Sequence, residues 1–411
     1  MTTEGSRRRI LLAIGDVGAG HRIPATVIKQ AILERFGDAH DVVIDDFFAL
    51  VDPSPLGDSN GAQRLFAQYG LLKRLINDPV WHIGNTPLGH RITERYLLSR
   101  TLGPYAARLE HLAPDLVVSI HPYLSITLAA IRRQGGAFRY AVVVTDLACL
   151  LRGWADPQAD LIVSPTEEAC RALQAYGIDR SRVLAPLFPL TQGLGQIAPR
   201  EDTLGRLGLN PALTTLLFSG GGSGARAFLR PLARLAQQPG RQLIIATGKD
   251  EALAGILRER FRGTTGIRIL NFVPNLPEYF AAADLVITKP GTSTVLELEA
   301  LAKRTVLSGD LGPQELGNVR YALKRPLVRH IGSDWRKLEA TISELLAEPA
   351  SNTAPGRHRN DAITIAERLV NLLQPGSAAH PHGRQSTAGG PPAAGPPVPA
   401  ARPFPNPWAD G

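Results

Sequence analysis

The sequence predicts an α/β protein built from two doubly wound halves, each a parallel sheet covered by helices. Three observations carry that expectation. Short apolar runs alternate with longer stretches whose apolar positions recur at helical spacing, the pattern of parallel strands joined by helical crossovers. A glycine-rich turn directly follows the first apolar run of each half. Between the halves the alternation stops in a Gly- and Pro-rich stretch and then restarts. At 411 residues the chain is too long for one typical core. Two such halves leave a crevice between the carboxyl ends of their strands, where open α/β sheets bind ligands.

In the first half, Ile10–Ile14 reads as a buried strand. Arg7, Arg8 and Arg9 before it give a superficial likeness to a signal peptide, but the apolar stretch is too short and runs into a glycine loop. Pro24 stands where a first helical turn tolerates it, and Ala25, Ile28, Ile32, Leu33 and Phe36 follow at helical spacing. Further strands are expected at Asp41–Asp45, Leu116–Ile120, Tyr140–Thr145 and Leu161–Ser164, with helices at Leu124–Arg133 and Glu167–Tyr176. Between the second and third strands lies a helical, basic insertion, 61–111, where Trp81, Tyr96 and Tyr105 are interleaved with arginines. That pattern fits either a solvated helical insertion or a patch lying on an anionic membrane, where aromatic rings settle at headgroup depth.

The expected division is a first domain over 1–190, a linker over 191–212 and a second domain over 213–350. In the second domain Thr214–Phe218, Gln242–Ala246, Ile267–Asn271, Leu285–Thr288 and Thr305–Ser308 read as strands. The segment 351–375, with a helix at Asp361–Leu373, is expected to pack back across both halves. From 376 to 411 the composition changes: nine of the last 36 residues are proline, so this tail cannot bury enough apolar surface to order itself.

Composition narrows the function classes. Lysine and arginine exceed aspartate and glutamate by eight, which suits an anionic partner: a nucleotide phosphate, a nucleic acid or an acidic membrane surface. No nucleic-acid recognition motif or stacked aromatic platform accompanies the charge, so nucleic acid is set aside. Cys149 and Cys170 supply neither a disulfide framework nor a metal cluster, which points to a reducing, cytoplasmic compartment. No apolar run approaches the roughly 18–20 residues that span a bilayer, so any membrane contact is expected to be peripheral, on the cytoplasmic face.

Four motifs sit at strand ends. In Gly15-Asp16-Val17-Gly18-Ala19-Gly20-His21-Arg22 the glycines let the backbone approach a ligand, and the following helix offers unpaired N–H groups to an oxyanion. Asp16 and His21, read as parts of one loop, face the crevice; no Gly-Lys-Ser/Thr follows, which excludes a P-loop ATPase. Ser219-Gly220-Gly221-Gly222-Ser223-Gly224 is a pyrophosphate cradle of backbone N–H groups. Lys289-Pro290-Gly291-Thr292-Ser293-Thr294 gathers donors at another helix start, and Glu297 one turn on is suited to accept from ribose hydroxyls. Gln314, Glu315 and Asn318 follow Gly312-Pro313 and offer donors and acceptors to a polyhydroxyl ring.

At this point the chain resembles the monogalactosyldiacylglycerol synthase family of glycosyltransferases and, more distantly, the lipid-linked N-acetylglucosaminyltransferase of peptidoglycan synthesis. Asp16 to Arg22 resembles the family's Asp-Thr-Gly-Gly-Gly-His-Arg. Pro114 to Pro122, Val144 to Leu147, Lys289 to Glu297 and Gln314 to Asn318 resemble its later signatures in the same order. The resemblance implies a GT-B fold, with an acceptor-binding Rossmann-like domain facing a nucleotide-sugar-binding one, and no bound metal or other cofactor. It implies that Glu297 holds the donor ribose, Gln314 and Glu315 the sugar, Gly221, Gly222 and Ser223 the pyrophosphate, and that Phe272 and Val273 lie by the uracil. Val17 and Ala19 depart from the first signature, and the stretch after Asp146 keeps Trp154 but lacks the family's histidine. All these departures fall on the acceptor side.

The expected reaction is inverting transfer of a hexosyl group from a UDP-sugar to a hydroxyl acceptor, a membrane lipid such as diacylglycerol. A positioned base contributes about 10²–10⁴-fold. His21 is the first candidate, with Asp16 either orienting it or acting itself; Gly18, Gly20, His121 and Asp146 complete the acceptor side. Leaving UDP is stabilised by the helix starts after Gly222 and Thr292, with Lys289. The same fold also hosts UDP-sugar epimerases and non-catalytic sugar-nucleotide binders, and both readings stay open at this stage.

Overall fold

The computed structural model describes residues 7–16, 19–51, 81–191, 194, 197–220, 232, 234–235, 238–309, 312–349 and 361–374. Two parallel six-stranded sheets form the framework. The N-terminal sheet comprises β1 (Arg8–Ile14), β2 (His40–Asp46), β3 (Leu116–Ser119), β4 (Arg139–Val143), β5 (Leu161–Val163) and β6 (Val183–Leu184). Its order is β2-β1-β3-β4-β5-β6, so the chain reverses direction across the sheet between β1 and β3.

The central strands β1, β3 and β4 are buried on both faces, which is why they read as continuous apolar runs, whereas the edge strand β2 is mostly half-buried. Leu11 and Ala13 of β1 point into one core with Val117, Tyr140 and Val142. Helices α2 (Pro87–Leu112), α3 (Pro122–Arg133) and α4 (Glu167–Ala175) cover that face. Ile10, Leu12 and Ile14 point into the opposite core, against α1 (Ala19–Phe36). The last described helix, α11 (Asp361–Asn371), returns to this face; Ala362, Ile365, Ala366 and Leu369 pack against α1, and Arg35 pairs with Glu367 at 2.8 Å. Its first residue, Asp361, accepts from the Phe188 N–H at 3.1 Å, which ties the end of the second half to the end of the first.

The second sheet holds β7 (Thr214–Ser219), β8 (Arg241–Gly248), β9 (Ile267–Asn271), β10 (Leu285–Thr288), β11 (Arg304–Leu307) and β12 (Val328–His330) in the order β12-β11-β10-β7-β8-β9. Its reversal lies between β7 and β10, so the two glycine- and hydroxyl-rich loops that follow these strands leave from adjacent positions. Helices α5 (Arg200–Arg206), α6 (Glu251–Arg260), α7 (Leu276–Ala282), α8 (Thr292–Ala300), α9 (Pro313–Ala322) and α10 (Leu338–Ala347) flank it. A third apolar cluster joins the halves: Leu147, Phe188 and Leu190 from the first pack with Val295, Leu296, Val319 and Ala322 from the second.

Several expectations need correcting. Helix α1 begins at Ala19, so His21 lies on its first turn rather than on a loop, and Pro24 stands inside the helix. Pro24 is the sixth residue of the helix, so it removes the one N–H that would pair with the Gly20 carbonyl. The stretch 191–212 carries α5, and Arg200 binds it to the second sheet through Asp284 and the Leu213 and Ala282 carbonyls. Strands β6 and β12, two and three residues long, have no counterpart in the sequence pattern. In the basic insertion Tyr105 is buried and Trp81 is partly buried against the same core, so among its described residues Tyr96 is the exposed one of Trp81, Tyr96 and Tyr105. Gly18, Gly221, Gly222, Ser223, residues 61–80 of the insertion and the tail from 376 lie outside the described residues.

Candidate active site

The N-terminal wall of the cleft is built from the carboxyl ends of β1, β3 and β4. Gly15 ends β1 at a point where a Cβ would sit 2.7 Å from the Phe48 ring, so only glycine lets the chain turn here without displacing that ring. Phe48 in turn packs edge-on against His121 at 4.6 Å. His121 caps α3: its Nδ1 accepts from the Tyr123 N–H at 3.2 Å, which places its own proton on Nε2. Burial, reinforced by His21, holds His121 well below the ordinary histidine range, so it is a neutral, fixed wall of the site.

His21 lies with its ring 4.6 Å from that of His121, and its Nδ1 is 3.3 Å from Thr145 Oγ1. Burial pushes its imidazole down to about 4, opposed by a hydrogen bond to the Ile120 carbonyl and by the Asp16 carboxylate. Asp16 makes a two-pronged contact with Arg22, whose Nε and Nη2 donate to one carboxylate oxygen at 2.9 and 2.7 Å. Its influence on His21 is therefore that of a nearby charge. Gly20, in the same helical turn, has open space where a Cβ would point. Asp146 accepts from Trp154 Nε1 at 2.7 Å, while burial raises its carboxyl to about 6 against that bond.

The second wall has a different character. Thr288 Oγ1 donates to the Ser219 carbonyl at 2.8 Å and fastens the ends of β10 and β7 together. Lys289 follows, and Gly291 forms the N-cap of α8 without a side-chain cap bond. The hydroxyl of Ser293, in the first turn, is buried and has no partner in the structure. Thr292 and Thr294 flank it on the same turn, partly buried. Glu297 is buried further along α8 and accepts from Thr191 Oγ1 at 2.8 Å. Burial raises its carboxyl to about 7, moderated by that bond. Gln314 and Glu315 lie half-buried on the first turn of α9. At the end of β9 Phe272 is 59% exposed with the Lys249 ammonium 5.8 Å over its ring, and Val273 is half-buried beside it.

Asn318 is placed differently from the other residues expected to meet the donor. It is buried, it accepts from the Leu147 N–H at 3.2 Å, and it donates to the Pro290 carbonyl at 3.0 Å and to Thr292 Oγ1 at 3.2 Å. Sequence reasoning does not find Arg22 as the partner of Asp16, Thr145 beside His21, or Thr191 on Glu297. Thr145 stands in a strand-end signature and is legible in principle. Thr191 lies in an irregular stretch with no local signal. Among the described residues no group of three His, Cys, Asp or Glu side chains is arranged to hold a metal ion.

Comparison with known proteins gives a consistent assignment. Residues 21–186 match the monogalactosyldiacylglycerol (MGDG) synthase family, and residues 215–308 match the glycosyltransferase family 28 C-terminal domain. A chloroplastic monogalactosyldiacylglycerol synthase of Spinacia oleracea is 26% identical over 390 residues, covering 90% of this chain and 73% of the relative. The alignments with a Glycine max and an Arabidopsis thaliana relative span 62% and 66% of those proteins, less than two thirds of their length. Among solved structures, MurG of Acinetobacter baumannii superposes with a TM-score of 0.55 at 15% identity, over 89% of this chain and 99% of that one. The UDP-GlcNAc 2-epimerase of Neisseria meningitidis gives 0.55 at 14% identity, over 88% and 100%. Likeness at that level shows a shared GT-B fold and does not separate transferase from epimerase.

Proposed function

We propose that the chain, whose residues 21–186 match the monogalactosyldiacylglycerol synthase family, transfers a hexosyl group from a UDP-sugar, with inversion, to the hydroxyl of a lipid such as diacylglycerol. The observation that carries the reading is the pairing of two unlike walls. A neutral histidine packed against a second histidine ring lies on α1, and α1 adjoins α8, whose first-turn serine hydroxyl is buried with no partner among the described residues.

In this mechanism His21 is the base. In the tautomer with its proton on Nδ1, that N–H is directed to Thr145, and Nε2 would take the acceptor's proton. The acceptor oxygen bonds to the anomeric carbon as the bond from that carbon to the β-phosphate oxygen breaks. UDP leaves with an added negative charge. The first-turn N–H groups of α8, the Ser293 hydroxyl and Lys289 are suited to that charge without a bound metal. Glu297 would accept from the ribose hydroxyls, Gln314 and Glu315 would meet the sugar, Phe272 and Val273 the uracil, and Gly221, Gly222 and Ser223 the pyrophosphate. Asp16 with Arg22 supplies a charge near His21 that eases its protonation during the transfer.

The lipid acceptor calls for an approach to a membrane. Among the described residues no helix is long and apolar enough to cross one. Helix α2 supports peripheral docking instead: Leu88, Ile92 and Tyr96 follow one another at i, i+4 and i+8, and the first two are 69% and 62% exposed. Arg91 and Arg95 are exposed beside them, and Arg100 lies over the Tyr96 ring at 5.1 Å. Arg91 also lines a cavity of about 320 Å³ between α2 and α3, together with Arg133 and Arg152. An apolar stripe edged by arginine suits an anionic leaflet, here taken as the cytoplasmic face.

Product analysis tests the reading. A UDP-hexose incubated with diacylglycerol vesicles should yield a glycolipid and free UDP, and without lipid it should remain one unchanged sugar nucleotide. Interconversion of the sugar in the absence of lipid would replace the proposal with an epimerase. UDP binding with neither product would replace it with a binding protein.

A further inference from the structure

The loop after β4, which carries Asp146, and the loop before α8, which carries Lys289, come from different halves of the chain. They meet through one side chain. A primary amide has one carbonyl acceptor and one NH₂ donor group. Asn318 directs the first at the Leu147 N–H and the second at the Pro290 carbonyl and Thr292 Oγ1. It is 4% exposed, and its amide is engaged with protein on both sides. Its neighbour Gly317 completes the contact, since a Cβ there would sit 2.7 Å from the Cys149 backbone nitrogen. Leu147 also enters the apolar cluster that joins the halves, next to Val319 and Ala322 of α9.

We propose that Asn318 is a positioning residue and not a sugar contact: it sets the acceptor-side loop 146–149 in register with the donor-side loop 289–292. The chemistry of the position fits this and little else. Aspartate keeps an acceptor for Leu147 but loses both donated bonds. Leucine loses all three. Glutamine, one methylene longer, would need the two loops further apart. In a group transfer the two reacting atoms must meet within a narrow geometry, and a displacement of about 1 Å far from the chemistry can cost about 10²-fold in rate. The kinetic half of this inference rests on the transferase reading; the structural half does not.

Hydrogen exchange on the full chain without substrate tests the structural half. In Asn318→Leu, peptides over 146–151 should exchange about tenfold faster for the one hydrogen bond lost there, and peptides over 289–296 at least as much faster for the two lost there. In Asn318→Asp only the 289–296 peptides should change, because the acceptor for Leu147 is retained. The strands of both sheets should keep their protection. With substrate, Asn318→Leu should lower kcat by about 10²-fold while the affinities for UDP and for UDP-sugar hold. If Asn318→Leu does not fold, Asn318→Asp and Gly317→Ala divide the test: the first should loosen 289–296, and the second, whose added methyl displaces Cys149 while the amide bonds stay, should loosen 146–151. Unchanged exchange over 146–151 in a folded Asn318→Leu protein overturns the proposal. So does a loss of UDP-sugar affinity with UDP affinity and kcat intact, the signature of a sugar contact. Altered exchange in a protein that transfers no sugar supports the register and counts against the transferase reading alone.

Discussion

On the N-terminal wall of the cleft four titratable groups are tied to their own half: His121 to the start of α3, His21 to Thr145 and Ile120, Asp16 to Arg22, and Asp146 to Trp154. On the C-terminal wall the polar groups are less committed: Ser293 has an unpartnered hydroxyl, α8 begins without a side-chain cap, and the large aromatic Phe272 stands mostly exposed. The difference follows from what each wall must do. A base is effective when its tautomer and orientation are fixed before the acceptor arrives. A binding surface for phosphates and ribose needs donors and acceptors whose partners arrive with the ligand. On the proposed function, the first wall serves proton transfer and the second recognition.

The largest expected effect separates them. His21→Ala should lower kcat by about 10²–10⁴-fold and leave UDP affinity unchanged by isothermal titration. An equal loss in UDP affinity would place His21 on the binding side and erase the contrast.

Next comes Glu297, the one strongly shifted carboxylate on the recognition wall. Hydrogen bonds to a charged group are worth about 1.5–3 kcal/mol, so Glu297→Ala should weaken UDP by about 10- to 100-fold, with kcat at saturating donor far less affected. The pH dependence has a definite sign. Burial raises the Glu297 carboxyl to about 7, so it is ionised, and a full acceptor for ribose, above that pH. UDP affinity should then fall as the pH is lowered through about 7 in the wild type, and Glu297→Gln should abolish that dependence. A comparison with 2′-deoxy UDP sharpens the assignment, since a ligand lacking the hydroxyl should respond less to the substitution.

Smaller effects concern the outer surfaces of each half. Replacing Arg91 and Arg95 by alanine should weaken binding to anionic vesicles by about 30-fold in a flotation assay, taking about 1 kcal/mol for each arginine at a charged leaflet. Turnover of a detergent-dispersed acceptor should hold. Vesicle binding indifferent to both arginines would remove α2 as the docking element. The smallest change is expected for Phe272→Ala, which should weaken UDP by about two- to tenfold, the range of an aromatic stacking contact of about 0.5–1.5 kcal/mol.

Much of this contrast is legible in the amino-acid sequence. Leu285–Thr288 is buried throughout and reads as a continuous apolar run, with the same bounds in the sequence pattern and in the fold; the half-buried edge strand Ile267–Asn271 also keeps its bounds. Glycine- and hydroxyl-rich turns after β1, β7 and β10 mark the ligand-facing ends. What the pattern does not reveal is decided by tertiary contact. Val328-Arg329-His330 pairs as a strand only because β11 lies beside it. Gly18-Ala19-Gly20 read as loop residues, yet α1 starts at Ala19. Tyr105 and Trp81 sit among arginines in sequence but turn toward the core, because a helix with 3.6 residues per turn gathers positions three and four apart on one face and leaves the residues between them on the other. Asn318 carries the right motif, and no sequence pattern could reveal that its amide faces the other half of the chain.

The most direct test of the central claim is UDP release from a panel of UDP-hexoses, with and without diacylglycerol in anionic vesicles, by the wild type and by His21→Ala. Release that requires the lipid, and that the substitution abolishes while UDP still binds, is the predicted result. Lipid-independent release, or full activity in His21→Ala, would contradict it.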